Sequence, residues 1–239
     1  MEFELTPKER IKKLTFPSEI NKELAYFSGV LAGDGSIGFN ENKKQYWIKC
    51  VGNPRDEKEF YNEIIKPIIK RLFNLDIGPK LYDKGTTYGF DITSKNLVRY
   101  LTEFIGLPLG KKYGKLKIPE VFLGEKELVR SFIRGVADTD FHLAVRKGHY
   151  PVISGVSKSK IFIEEIKRFL EEDGFKVCIY ERRDNDSRVN KTVITHRIEL
   201  SGYKQFTMWM QKIGFSHPKN KEKTDLLLSQ ANKLPNSKL

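Results

Sequence analysis

The feature that most constrains this chain is that it is written twice. Gly29-Val30-Leu31-Ala32-Gly33-Asp34-Gly35 lies over Gly135-Val136-Ala137-Asp138-Thr139-Asp140-Phe141 at an offset of 106 residues. Phe90-Asp91-Ile92-Thr93 lies over Ile198-Glu199-Leu200-Ser201, and Ile105-Gly106-Leu107 over Ile213-Gly214-Phe215, both at an offset of 108. A nearly constant spacing through three segments means two copies of one unit, and self-similarity on this scale decides the organisation before any single element does.

Each copy reads as helix, two strands, helix, two strands, helix. In the first, Ser18 is placed to cap a helix over Glu19 to Gly33, and Ser36 to Asn40 pairs with Gln45 to Val51 across a polar turn. Arg55 to Phe73 has helical apolar spacing with Pro67 set to kink or split it. A hairpin of Lys80 to Asp83 with Thr87 to Thr93 and a helix over Asn96 to Ile105 complete the copy. The second copy follows through Val129 to Thr139, Phe141 to Arg146, Pro151 to Val156, Ile161 to Glu172, Phe175 to Arg182, Val193 to Ser201 and Lys204 to Ile213. The expected fold is α+β: two pseudo-symmetric lobes over residues 1–105 and 125–239, a Gly-, Pro- and Lys-rich linker over 106–124, and a Lys-rich C-terminal helix over about Asn220 to Lys233.

Strand alternation says what each sheet faces. Ile194, His196, Ile198 and Leu200 fall on one side of the last strand, and Thr195, Arg197, Glu199 and Ser201 on the other. Tyr88, Phe90 and Ile92 likewise oppose Thr87, Asp91 and Thr93. One face is expected to meet helices and the other to be wet. Gln45, Lys49, Lys80, Arg146, Tyr180, Arg182 and Arg197 recur on or near the wet faces, a mixture suited to phosphate positioning and base-edge reading. The loop Glu181 to Lys191 adds Arg183 and Arg188 at an outer end.

Charge points the same way. Lys and Arg number 43 against 31 Asp and Glu, a formal net charge of +12 at pH 7. Such an excess favours a polyanion, since neutralising phosphates releases condensed counterions. No apolar run approaches membrane-span length and no signal peptide opens the chain, so a cytoplasmic setting is expected, or a nuclear or organellar one in a eukaryote. The only two cysteines, Cys50 and Cys178, sit in apolar strand-like runs and read as buried free thiols.

The chemistry lies at the ends of the repeated helices. Gly29 and Gly33, and Gly135 and Thr139, are small residues one turn apart, which lets two helix backbones pack closely. Close packing is expected to bring Asp34 and Asp140 to the same end of the helix pair. Carboxylates at helix C-termini sit in a negative field that disfavours joint ionisation without cations. Divalent metal resolves that repulsion, and metal pairs drive phosphodiester hydrolysis.

These residues carry a family resemblance. Phe27 to Gly35 resembles the LAGLIDADG motif, and Ile133 to Phe141 looks like its second copy, so that Leu24 to Gly214 is similar to a monomeric, two-motif, intron-encoded LAGLIDADG homing endonuclease. The resemblance implies two αββαββα lobes with motif helices at their interface, and saddle-shaped antiparallel sheets on a long pseudo-palindromic or asymmetric double-stranded DNA site of about two turns. It implies Mg²⁺-dependent cleavage of both strands that promotes intron mobility, with Mn²⁺ substituting and Ca²⁺ binding without cleavage. By position, Asp34 and Asp140 take the metal-binding and catalytic role, the carbonyls of Gly33 and Thr139 are auxiliary ligands, and Lys112 is the pocket lysine. Lys219 or Lys221 occupies the corresponding stretch of the second copy.

The second copy departs from the first at three positions around its acid. Phe141 stands where Gly35 follows the first acid, and phenylalanine takes a positive φ only at a cost. Asp138 stands opposite Ala32 and reads as structural, while His142, opposite Ser36, reads as an exposed or DNA-facing side chain. Alternatives of other classes are an RNA-binding maturase acting on its intron RNA and a DNA-binding regulator without catalysis. An intein-embedded nuclease is disfavoured by a start at Met1 and an end at Asn236-Ser237-Lys238-Leu239, which read as a free-standing protein.

Overall fold

A computed structural model of the chain describes residues 4–147, 149–186 and 191–231. A short helix α1 (Pro7–Ile11) precedes the first copy, which runs α2 (Lys22–Gly33), β1 (Gly35–Asn40), β2 (Gln45–Gly52), α3 (Pro54–Glu59), a π-helical segment (Phe60–Ile65), α4 (Lys66–Phe73), β3 (Lys80–Tyr82), β4 (Thr87–Thr93), α5 (Lys95–Arg99) and a second π-helical segment (Tyr100–Phe104). The second copy runs α6 (Lys126–Asp140), β5 (Phe141–Arg146), β6 (Tyr150–Ser157), α7 (Lys160–Glu172), β7 (Cys178–Asp186), β8 (Lys191–Ser201), α8 (Tyr203–Lys212) and α9 (Lys221–Ala231). The expected α+β architecture is present. Two four-stranded antiparallel sheets have the orders β1-β2-β4-β3 and β5-β6-β8-β7, one wiring used twice.

The chain divides into two compact units, Met1–Lys112 with Pro119–Val136, and Tyr113–Ile118 with Ala137–Leu239. In the first, Phe27 packs on Phe73 and Phe90 at 5.8 and 6.4 Å, over the inward residues Ile48, Cys50 and Ile92. In the second, Trp209 is fully buried among Phe141, Phe175 and Phe215, with ring centroids at 6.0, 6.2 and 5.7 Å. An aromatic side chain buries more apolar area than an aliphatic one, so these clusters anchor each unit's core.

Several expected elements shift for identifiable reasons. The first motif helix starts at Lys22, because the Asn21 side chain, not Ser18, accepts the Leu24 N–H at 2.9 Å and caps it. Pro67 sits in the first turn of α4, where a missing N–H costs little, and a π-helical segment precedes it, so the expected single helix is divided there. The strand expected over Phe175 to Arg182 runs instead from Cys178, leaving Phe175 and Val177 as buried core residues before it.

The last strand corrects the expected alternation. Ile194 is 46% exposed, whereas Thr195 and Glu199, on the face expected to be wet, are buried. Arg146 reaches across and pairs bidentately with Glu199 at 2.8 and 3.2 Å. Cys50 is buried as expected, but Cys178 is exposed, since its register opposite Glu199 puts it on the outer face.

Candidate functional site

The motif helices pack in the first unit, which includes the first eleven residues of α6. A methyl group on Gly29 would stand 2.0 Å from the Phe132 carbonyl oxygen, and one on Gly135 would stand 2.1 Å from that of Tyr26. Backbone therefore lies directly on backbone at this pair of glycines, as the sequence anticipated. Lys22 of α2 and Glu127 of α6 close the other end of the contact at 2.9 Å.

Asp34 caps α2 in helical conformation, its N–H bonded to Val30 O, and the chain turns straight into β1. The carbonyls at this helix end have no partners inside the helix. Lys112 supplies one: its ammonium donates to Gly33 O, to Ala32 O at 2.9 Å and to Leu31 O at 3.4 Å. A lysine at a helix C-terminus also meets the negative end of the macrodipole. Asp34 is half-buried beside it.

The second unit repeats this construction. Asp140 ends α6 and is half-buried, and Lys219 donates to the carbonyl oxygen of Asp138 at 2.8 Å. Ala32 and Asp138 are 106 residues apart, and Lys112 and Lys219 are 107 apart, within the spacing of the repeat. Of Lys219 and Lys221, both offered by the sequence, it is Lys219 whose ammonium makes this helix-end contact. Asp138 is fully buried, and its carboxylate accepts the N–H groups of Ser216 and His217 at 3.0 to 3.1 Å, the structural role expected of it.

Phe141 is reconciled with its position by packing, not backbone. Gly35 is not among the positive-φ residues, so phenylalanine in its place meets no such strain. Gly35 is small because a Cβ there would come within 2.5 Å of the Leu31 Cα, and its cross-strand partner is Cys50. In the second unit the bulk changes sides: Phe141 lies over Gly155 and stacks on Trp209 at 6.0 Å.

The outer face of the first sheet carries Gln45, Lys49 and Lys80 by register, together with Tyr82, which alternation from Lys80 would have revealed. Lys49 pairs with Asp83 and Lys80 with Asp91, each at 3.4 Å, and both ammonium groups lie over the Tyr82 ring at 4.8 and 5.2 Å. The Tyr82 hydroxyl donates to Asp91 and holds that carboxyl below its ordinary range. Gln45 donates to Thr93 at 3.0 Å. These side chains are held in place before any ligand arrives.

On the second sheet His142, Arg146, Tyr180, Arg182 and Arg197 share the outer face. Burial, then the charges of Arg197, Lys223 and Arg146, push His142 below its usual pKa. Arg183 pairs with Ile194 and so points to the opposite face from Arg182. Arg188 lies outside the described residues.

Both helix ends offer hard oxygen donors, a carboxylate next to carbonyls, and the Gly33 carbonyl already accepts a cation from the chain itself. Among the described residues no three His, Cys, Asp or Glu side chains gather into a metal-binding cluster. That combination fits Mg²⁺ or Ca²⁺ completed by phosphate and water better than an all-protein cage.

The LAGLIDADG-like domain family matches residues 127–205. The crystal structure of I-DmoI in complex with DNA and Ca superposes with a TM-score of 0.60 at 16% identity, covering 86% of this chain and 97% of that one. The chain is a two-motif protein of the LAGLIDADG fold. The homing endonuclease I-WcaI bound to its DNA recognition sequence shares it, with a TM-score of 0.57, 13% identity and 91% coverage of both chains.

Among curated proteins, the chain is 28% identical over 216 residues to glutamine–fructose-6-phosphate aminotransferase of Methanocaldococcus jannaschii, covering 90% of the chain but 18% of that protein. It is 28% identical over 194 residues to a probable translation initiation factor IF-2 of Thermococcus kodakarensis, covering 80% of the chain and 14% of that protein. The chain thus spans less than a fifth of the length of these relatives. Among the described residues no helix is long and apolar enough to cross a membrane.

Proposed function

We propose that this protein is a divalent-metal-dependent homing endonuclease that binds a long double-stranded DNA site as a monomer and hydrolyses both strands. The observation that carries the reading is the acid-and-lysine construction made twice, Asp34 with Lys112 and Asp140 with Lys219, each at the end of a motif helix. One such construction per half is what two strands require. Asp34 and Asp140 hold the metal, assisted by the carbonyls of Gly33 and Thr139. A divalent ion held by these groups would supply Lewis-acid chemistry, activating a water and neutralising charge on the leaving oxygen.

The chain's own residues do the rest. Lys112 and Lys219 keep an ammonium beside each helix end, where it balances the phosphate charge that builds during cleavage. The outer-face residues Gln45, Lys49, Lys80, Arg146, Tyr180, Arg182 and Arg197 position the duplex and read its major groove. Arg183, turned by its register to the opposite face, lies outside that contact.

A second observation bears on mobility. Segments 28% identical to this chain lie within an aminotransferase and a probable translation initiation factor, whose activities have nothing in common. A module shared by unrelated hosts is one that moves between genes, so insertion within a host protein is as good a setting as an intron.

Cleavage selection from a randomised duplex library with Mg²⁺ identifies the target. On that target, Asp34→Asn and Asp140→Asn are expected to abolish cleavage while binding in Ca²⁺ stays within a few-fold of wild type. Full scission by either variant would sink the assignment.

A further inference from the structure

Three adjoining depressions run along one margin of the first unit, away from the motif helices. Lys8, Lys43, Lys44 and Lys95 line the first, of about 620 Å³. Lys8, Lys12 and Lys95 line the second, of about 280 Å³, and Lys12, Lys70 and Lys80 line the third, of about 440 Å³. Thr93 borders all three, so they form one trough, and Gln45, Thr93 and Lys80 join it to the outer face of the sheet.

The lysines are available. Among the described residues Lys8, Lys12, Lys43, Lys44 and Lys95 are exposed and engage in no ion pair. Of the three carboxylates that line the trough, Asp91 pairs with Lys80 and Asp76 with Lys66, each at 3.4 Å, and Glu9 is 3% exposed and committed to the chain itself. It accepts from Ser94 Oγ at 2.6 Å, from the Asn96 N–H at 2.9 Å and from Thr6, and so ties α1 to the start of α5. That tie holds Lys8 and Lys12 in the wall. The rings of Phe39 and Tyr46 lie against each other at 4.5 Å, which uses their faces on one another instead of offering them to unstacked bases.

We propose that this trough binds the phosphate backbone of duplex DNA flanking the half-site read by the first sheet. The inference rests on the endonuclease reading and adds a contact outside the repeated fold. Helix α1 has no counterpart in the second unit, where residues 113–117 form no helix. The footprint is therefore extended on one side only. A row of point-charge ammonium groups neutralises phosphates without regard to sequence.

The test compares the wild type with Lys8→Ala/Lys12→Ala/Lys95→Ala on a fluorescent 40-base-pair duplex of arbitrary sequence, by anisotropy in Ca²⁺ across a salt series. A charge-matched control, Lys58→Ala/Lys160→Ala/Lys167→Ala, removes lysines from α3 and α7. The trough variant should bind at least about ten-fold more weakly at low salt, and its log–log salt slope should flatten by about 2 to 3, near 0.9 per lost phosphate contact. The control should lose far less. If wild type binds and the trough variant matches it, the trough reading fails while the endonuclease reading stands. Equal losses in variant and control also overturn the trough, since charge and not place then explains them. Tighter trough-dependent binding of a single-stranded RNA of equal length would replace duplex DNA with RNA as the occupant. Wild type that binds no duplex overturns both readings.

Discussion

A single methyl group tests the crossing of the motif helices. Gly29→Ala or Gly135→Ala would set a Cβ within 2.1 Å of a backbone oxygen, an atom that moves only if its helix moves. Either change should cost about 1–3 kcal/mol or more, read as a lowered urea midpoint with unchanged slope. Glu9 gives a test by pH. Burial alone would raise its pKa, but hydrogen bonds from Ser94, Asn96 and Thr6 outweigh it and hold the group at about 2 against an ordinary 4.5. A depressed carboxyl stabilises the fold above its unfolded value and loses that contribution as pH falls from about 4.5 to 2. Glu9→Gln should therefore lower stability at pH 7 and flatten its acid dependence over that window, seen in thermal melts. Sequence found Asp34, Asp140 and the crossing glycines because the repeat marks them. It did not find Glu9: the Thr6-x-x-Glu9 capping box is a local pattern, but Ser94 and Asn96, which bury and fix the carboxylate, lie more than eighty residues away.

Elements answer to packing more than to propensity. Phe141 opens β5 as Gly35 opens β1, and what differs is the cross-strand neighbour and the Trp209 ring behind it. Phe141→Ala should cost about 3–5 kcal/mol through the cavity it leaves, by denaturant melt. Asp138 anchors the turn that leads to α9 and Lys219. Asp138→Ala removes the acceptor of two N–H groups, and should speed hydrogen exchange at Ser216 and His217 well before the rest of the second unit opens. Most helices and strands were legible in the sequence because apolar spacing is a local signal. Their ends were less so. The start of α2 depended on which polar side chain reached the first free N–H, and the exposed Cys178 depended on strand register.

At the scale of the molecule, 27.8 kDa and +12 charges frame the expectations. Two half-site readers in one chain should sediment as a single species of that mass, and an obligate dimer would contradict the two-motif reading. The duplication itself came from sequence alone, since a repeated helix with its terminal acid leaves the same letters at the same spacing wherever the chain folds. With it came the α+β class and, in each copy, an acid at the end of the motif helix. Tertiary structure decided what depends on pairing between distant segments: Lys219 over Lys221, Arg146 on Glu199, Arg183 on the face opposite Arg182, and the lysine trough beside α1. Spacing along a chain sets which residues share an element. Only register and the packing of elements on one another set which side chains meet.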